Sequence, residues 1–166
     1  MTAAAKKGSA VVTLIGDRQL RITREFDAPR HLVFKAWTTP ELVKQWWTSR
    51  RGSMKVTDID LRVGGKWRWV MVADGGFEVA FHGEYKEIVP NERLVFTEAF
   101  EGMPDADAAA ALNTMVLTEA KGRTTMSMLV EHVRPEHRDA HINSGMEAGM
   151  QDAMDLLEEV ARSLAT

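Results

Sequence analysis

The strongest constraint on this chain is a change of hydrophobic period. Over residues 64–131 strand-length segments alternate apolar and polar side chains, and turn signals separate them: Gly64-Gly65, Asp74-Gly75-Gly76, Pro90-Asn91-Glu92 and Lys121-Gly122. From about His137 the pattern becomes helical and holds almost to the C-terminus, with Met146, Met150, Met154, Leu157, Ala161 and Leu164 on one stripe. Consecutive hairpins followed by one long amphipathic helix predict an α+β domain: a curved antiparallel sheet with the helix across its concave face. Such an arrangement encloses a space, and function turns on whether side chains alone or a guest fills it.

The rest of the chain fits around that core. Residues 20–26 read as a strand and residues 11–15 as a short extra strand or an ordered lead-in, and Asp27-Ala28-Pro29 marks a helix start with Asp27 as N-cap and the helix ending near Trp37. Thr39-Pro40-Glu41 starts a second short helix carrying Trp46 and Trp47. Further strands are expected over 54–61, 66–72, 77–89, 93–100, 112–119 and 123–132. Gly83 falls in the apolar phase of its strand, where a missing side chain permits a bulge or bend. Residues 101–107, acidic and rich in chain breakers, read as a mobile loop. One domain is expected over residues 10–166, preceded by a flexible tail of residues 1–9.

Composition narrows the function classes. The 166 residues contain 45% hydrophobic and 27% charged side chains, the balance of one globular domain with a sizeable core. A net charge of −3 offers no basic field to gather phosphates, so nucleic acid is not an expected partner. With no cysteine, disulfides, thiol catalysis and thiolate metal sites are excluded. No apolar run reaches the roughly 20 residues of a membrane span. The N-terminal MTAAAKKGSA lacks the apolar segment of a signal peptide, so a cytoplasmic protein is expected.

Strand parity sorts the side chains by face. It turns Trp67, Trp69, Met71, Phe77, Val79, Phe81, Leu94, Phe96, Met115, Leu117, Met126, Met128 and Val130 inward, and leaves His82 outside. Ten methionines are many for this length, and a flexible thioether adapts to guests of different shape as readily as it fills irregular gaps. The candidate cavity residues are therefore Trp69, Met71, Phe81, Phe96, Met115, Met126 and Met128 from the sheet with Met146, Met150 and Met154 from the helix. Two polar residues, Glu98 and His132, share the inward phase. A carboxyl group in an apolar interior has a raised pKa, and a Glu98–His132 contact would resemble acid–base machinery. Trp37, Trp46 and Trp47 either close one mouth of the cavity or plug the sheet's end. His31, His82, His132, His137 and His141 are scattered, and the His137/His141 pair lacks a third ligand, so neither a metal nor another cofactor is expected.

Several stretches carry a family likeness. They are Arg24-Glu25-Phe26-Asp27-Ala28-Pro29, Val33-Phe34-Lys35-Ala36-Trp37-Thr38, Pro40-Glu41-Leu42 with Trp46-Trp47, Asp60-Leu61-Arg62-Val63-Gly64-Gly65-Lys66-Trp67, Gly83-Glu84-Tyr85-Lys86-Glu87-Ile88-Val89-Pro90 and Gly145-Met146-Glu147-Ala148-Gly149-Met150. In that order they resemble the START-like (SRPBCC) superfamily, in the branch named after the C-terminal domain of the activator of Hsp90 ATPase. The resemblance implies the helix-grip fold, with elements β-α-α-β-β-β-β-β-β-α wrapped around a long C-terminal helix. It also implies a cavity that binds an apolar or amphipathic small molecule. Alternatives are a cyclase- or dehydratase-type enzyme using cavity polar groups, or a chaperone-accessory domain with an Hsp90-type partner. The co-chaperone that names the branch has a further N-terminal domain for which this length leaves no room, so direct activation is not expected. Self-association into a homodimer through a sheet edge or the first strand is left open.

Overall fold

The computed structural model describes residues 9–165, so most of the expected tail lies outside the described residues. The elements run β1 (Val11–Ile15), β2 (Gln19–Phe26), α1 (Arg30–Thr38), α2 (Pro40–Trp46), β3 (Gly52–Ile59), β4 (Lys66–Ala73), β5 (Glu78–Val89), β6 (Arg93–Phe100), β7 (Ala111–Ala120), β8 (Arg123–Glu131), α3 (Pro135–Asn143) and α4 (Met146–Ser163). All strand pairings are antiparallel, in the order β1-β2-β8-β7-β6-β5-β4-β3. The curved sheet is closed on one side by helices, as the helix-grip fold requires.

Local chemistry explains the elements. Lys121 and Gly122 both adopt positive φ (54° and 75°), the geometry of a two-residue hairpin turn whose twist matches its strands. Burial alternates through β8 and over residues 111–117 of β7, which puts Ala111, Asn113, Met115 and Leu117 with Thr124, Met126, Met128 and Val130 on the inner side. Gly83 cannot be replaced without a clash, because a Cβ there would overlap the Thr97 carbonyl. That carbonyl accepts a hydrogen bond from Trp67 Nε1 at 3.1 Å, and the β5–β6 register shifts just beyond, between Tyr85 and Glu87. The expected bend at Gly83 is thus an irregularity that holds Trp67 against β6.

Four expectations about the elements change. The C-terminal helical segment is two helices, broken where Gly145 takes φ +80°, a left-handed conformation that glycine adopts without steric cost. The first short helix begins at Arg30 with Pro29 at its cap and no side-chain capping bond, so Asp27 is not the N-cap. Its lead-in is fixed instead by Thr124 Oγ1 donating to the Ala28 carbonyl at 2.7 Å and by the Asp27 amide donating to Glu158 at 2.8 Å. Phe77, assigned inward, lies in the turn before β5 and is 62% exposed. Residues 11–15 form a full edge strand, which brings the sheet to eight strands.

α4 presents Ala153, Met154, Leu157, Val160 and Ala161 to the core. Its far end is anchored by Arg24, a buried β2 residue whose Nη1 lies 2.7 Å from Asp155 and whose Nη2 lies 3.5 Å from Glu158. The near end is held to the chain start, where Gln151 exchanges two hydrogen bonds with the Ala10 backbone. α1 and α2 pack on α4 from the side. The middle of the concave face, between these anchored parts, is left incompletely filled.

Candidate functional site

A cavity of about 480 Å³ lies between the central strands and the first half of α4. A chain of aromatic edges builds one wall. Trp46 donates its indole N–H to the Ala36 carbonyl at 2.9 Å, which fixes it on α2, and its ring meets Trp37 at 4.6 Å and Trp69 at 6.1 Å. Trp47 meets Trp69 and Phe81, each at 5.6 Å, and Trp67 bridges Trp69 to Phe96. Edge-to-face packing of this kind locks the rings in place and leaves a preformed surface. The opposite wall carries Met146, Met150 and Met154 of α4, with Met71 and Met128 from the sheet.

A second chamber of about 500 Å³ adjoins the first. It lies under α3 and the β6–β7 loop and is lined by Phe100, Met103, Ala109, Ala111, Ala140 and the histidines 132, 137 and 141. Val79, Phe81, Glu98, His141 and Ser144 line both chambers and so form the waist between them. Ser144, at the α3–α4 break, and Arg51 are the solvent-exposed lining residues that mark where the first chamber meets bulk water.

The waist holds the polar groups. Asn113 Nδ2 donates to Glu98 Oε1 at 3.3 Å, and Asn113 is only 3% exposed. Glu98 keeps some accessible surface, yet that surface is cavity wall. Desolvation therefore pushes its carboxyl pKa up, opposed in part by the Asn113 hydrogen bond. His132 and His141 face each other, Nε2 to Nδ1 at 3.1 Å, with ring centroids 5.2 Å apart. Burial and the neighbouring His141 hold His132 down at about 4, and burial lowers His141 as well. The waist thus brings together a carboxyl whose acid form burial favours, an amide and imidazoles that burial keeps uncharged near neutral pH. Around the chambers Trp37 Nε1, Trp69 Nε1 and His137 Nδ1 are buried with no hydrogen-bond partner.

The expected cavity residues divide accordingly. Trp69, Met71, Phe81, Phe96, Glu98, Met128, Met146, Met150 and Met154 line the first chamber, and His132 lines the second. Met115 and Met126 line neither; they are 0% and 1% exposed within solid core. Met126 pairs with Arg24, whose reach to Asp155 and Glu158 places it beyond the cavity's end. Glu98 and His132 border the same chamber but do not bond, since Glu98 takes Asn113 and His132 takes His141. Asn113 and His141 were not expected at the site. Strand parity marks Asn113, which alternates with Ala111 and Met115; His141 carried no such signal. The three tryptophans of the α1–α2 region all line the first chamber.

Outside the sheet, His82 sits between two carboxylates, with Nδ1 2.8 Å from Glu101 and Nε2 against Asp107. Arg68 makes a two-pronged bond to Glu101, both contacts at 2.9 Å, and that guanidinium, aided by His82, holds the Glu101 carboxyl down at about 2. The acidic loop is therefore tied to the outer face of β4 and β5 while its Met103 and Ala109 border the second chamber. Among the described residues no three His, Asp or Glu side chains converge in a way that would hold a metal ion. No helix among them is long and apolar enough to cross a membrane.

Comparison with known proteins follows the same lines. The family model for Activator of Hsp90 ATPase homolog 1-like protein matches residues 27–162. A crystal structure from Rhodobacter sphaeroides superimposes with a TM-score of 0.85 at 24% identity, covering 93% of this chain and 99% of that one. Solution structures from Arthrobacter aurescens (TM-score 0.81, 23% identity, 92% and 91% covered) and Staphylococcus epidermidis (0.75, 25%, 98% and 94%) share the architecture. No curated protein matches the chain.

Proposed function

The chain belongs to the activator of Hsp90 ATPase homologue 1-like family, and from that footing we propose that it binds a hydrophobic or amphipathic small molecule between sheet and C-terminal helices. The observation that carries this reading is the first chamber: about 480 Å³ walled by interlocked tryptophans and adaptable methionines, with the Glu98–Asn113 hydrogen bond set into its lining. Specific small-molecule sites have this character, mostly apolar with few and fixed polar groups. Rigid aromatic rings define the shape, and the α4 thioethers conform to the guest.

Turnover is the weaker alternative. A cyclase or dehydratase needs an acid and a base within reach of one reacting position. Glu98 and His132 each bond to other partners, so we read them as recognition groups. An Hsp90-type chaperone partner has support from the family description alone.

Native mass spectrometry of the purified protein, with thermal shifts across lipids and aromatic metabolites, tests the binding role. The expected result is a retained mass, or a melting-temperature rise on saturation. A ligand at 100 times its Kd stabilises by about 2.7 kcal/mol. For a domain of this size that is roughly 5–10 °C. Protein that carries no guest and responds to none of the panel would overturn the reading.

A further inference from the structure

Glu98 and His141 line both chambers, and Asn113 bonds Glu98 there. The walls on either side are mostly apolar: tryptophans and methionines in one direction, with Thr48, Ser49 and Arg51 among them, and Phe100, Met103 and alanines in the other, with His132 and His137. We propose that the guest carries one uncharged hydrogen-bonding group near the middle of its length, held at the waist by Glu98 and Asn113, with an apolar arm in each chamber. This deepens the binding role proposed above and rests on it.

The donor and acceptor count supports that geometry. Glu98 uses one carboxyl oxygen on Asn113 and leaves the other without a protein partner, facing the cavity. Asn113, almost wholly buried, likewise has an unpartnered amide oxygen beside it. In its acid form, which burial favours, Glu98 offers a donor and Asn113 an acceptor, the complement of an amide, an ester carbonyl or a hydroxyl. An anionic group would find no countercharge there, and a cationic one would find it only by ionising the buried Glu98. The imidazoles of His132 and His141 are held neutral, and the other charged lining residue of the first chamber, Arg51, stands at the exposed mouth 2.8 Å from Asp152. Stranding a bare charge in such surroundings is strongly unfavourable. A guest with a terminal polar head would also leave either the waist or one chamber unused.

Isothermal titration of the full chain at neutral pH with four probes of matched length tests this. They are N-hexylhexanamide, dodecane, dodecanoate and dodecylammonium. The amide is expected to bind at least tenfold more tightly than each of the others. Glu98→Leu should remove that advantage, bringing the amide to the affinity of dodecane on the same variant, whereas Glu98→Gln, uncharged and of the same shape, should keep it within threefold. Dodecanoate, dodecylammonium or dodecane binding as tightly as the amide would overturn the mid-length assignment alone. So would an amide affinity that Glu98→Leu leaves unmoved, or one that Glu98→Gln abolishes. Binding of none of the four would overturn both this inference and, with the wider panel, the binding role itself.

Discussion

Asn113 Nδ2 reaches Glu98 Oε1 across the β6–β7 pair at 3.3 Å, and it is the only hydrogen bond of the Glu98 side chain among the described residues. One amide contact does not replace the water a carboxylate loses on burial, so the folded protein favours the acid form.

That preference sets a pH dependence. The Glu98 pKa is raised in the folded state, so its contribution to stability is fully present below the ordinary value of 4.5 and is lost as pH rises through the folded value. Glu98→Gln removes the titration and keeps a partner for Asn113. Melting curves should show the variant more stable than the parent at pH 8, with the gap closing below about pH 4.5. A variant less stable at pH 8 would show that Glu98 is well solvated when ionised.

The histidine pair acts with the opposite sign. The His132 pKa falls from 6.5 to about 4 on folding, so stability is complete above 6.5 and drains away as pH drops towards 4. His132→Gln should relieve this loss by about 1–2 kcal/mol at pH 4, allowing for solvent around a half-buried ring. At pH 8 the histidine protein should equal or exceed the variant. Parallel acid denaturation curves for the two proteins would remove the assignment.

The Arg24 anchor should respond unequally to loss of its two sides. Arg24 is 2% exposed, while the Asp155 side chain is largely in water. Removing the acids, as Asp155→Asn with Glu158→Gln, strands a buried guanidinium and is expected to cost about 3–5 kcal/mol. Arg24→Met keeps an apolar stem in place of the arginine's, loses the guanidinium contact over the Phe26 ring, and leaves carboxylates that can turn to solvent, for about 1 kcal/mol. Urea titrations that rank the two proteins the other way would sink this account.

Gly83→Ala tests the close approach of β5 and β6. A Cβ would overlap backbone atoms of Thr97, which cannot rotate away as a side chain could. Overpacking of this kind costs about 2 kcal/mol or more. An alanine variant of unchanged stability would mean that the strands separate freely at this point.

Much of the sheet was legible because its signals are local. Turn residues located the hairpins, and parity put Trp69, Phe96 and Glu98 on the inner face. Parity says nothing, however, about how far a cavity runs along a strand, which is why Met115 and Met126 pointed to the right face but the wrong surroundings. The break at Gly145 was also written in the chain, since the methionine stripe begins only at Met146 while residues 137–144 are polar apart from Ala140 and Ile142. A shared helical tendency on both sides concealed it. The His132–His141 contact lay beyond local reading, since it depends on how a strand end meets a helix across the intervening turn. Phe77 shows the reverse error: an apolar residue in the correct phase that sits one position outside its strand.

The left-handed residue at Gly145 divides the roof over the sheet into two independently fastened panels. The longer panel, α4, is pinned by Arg24 and by its own packed stripe. The shorter, α3, is tethered through Arg138 to the carbonyls of Gly16 and Gln19 and carries two of the histidines that border the second chamber. Substitutions in the shorter panel can therefore reshape the second chamber while the packed far end stays intact.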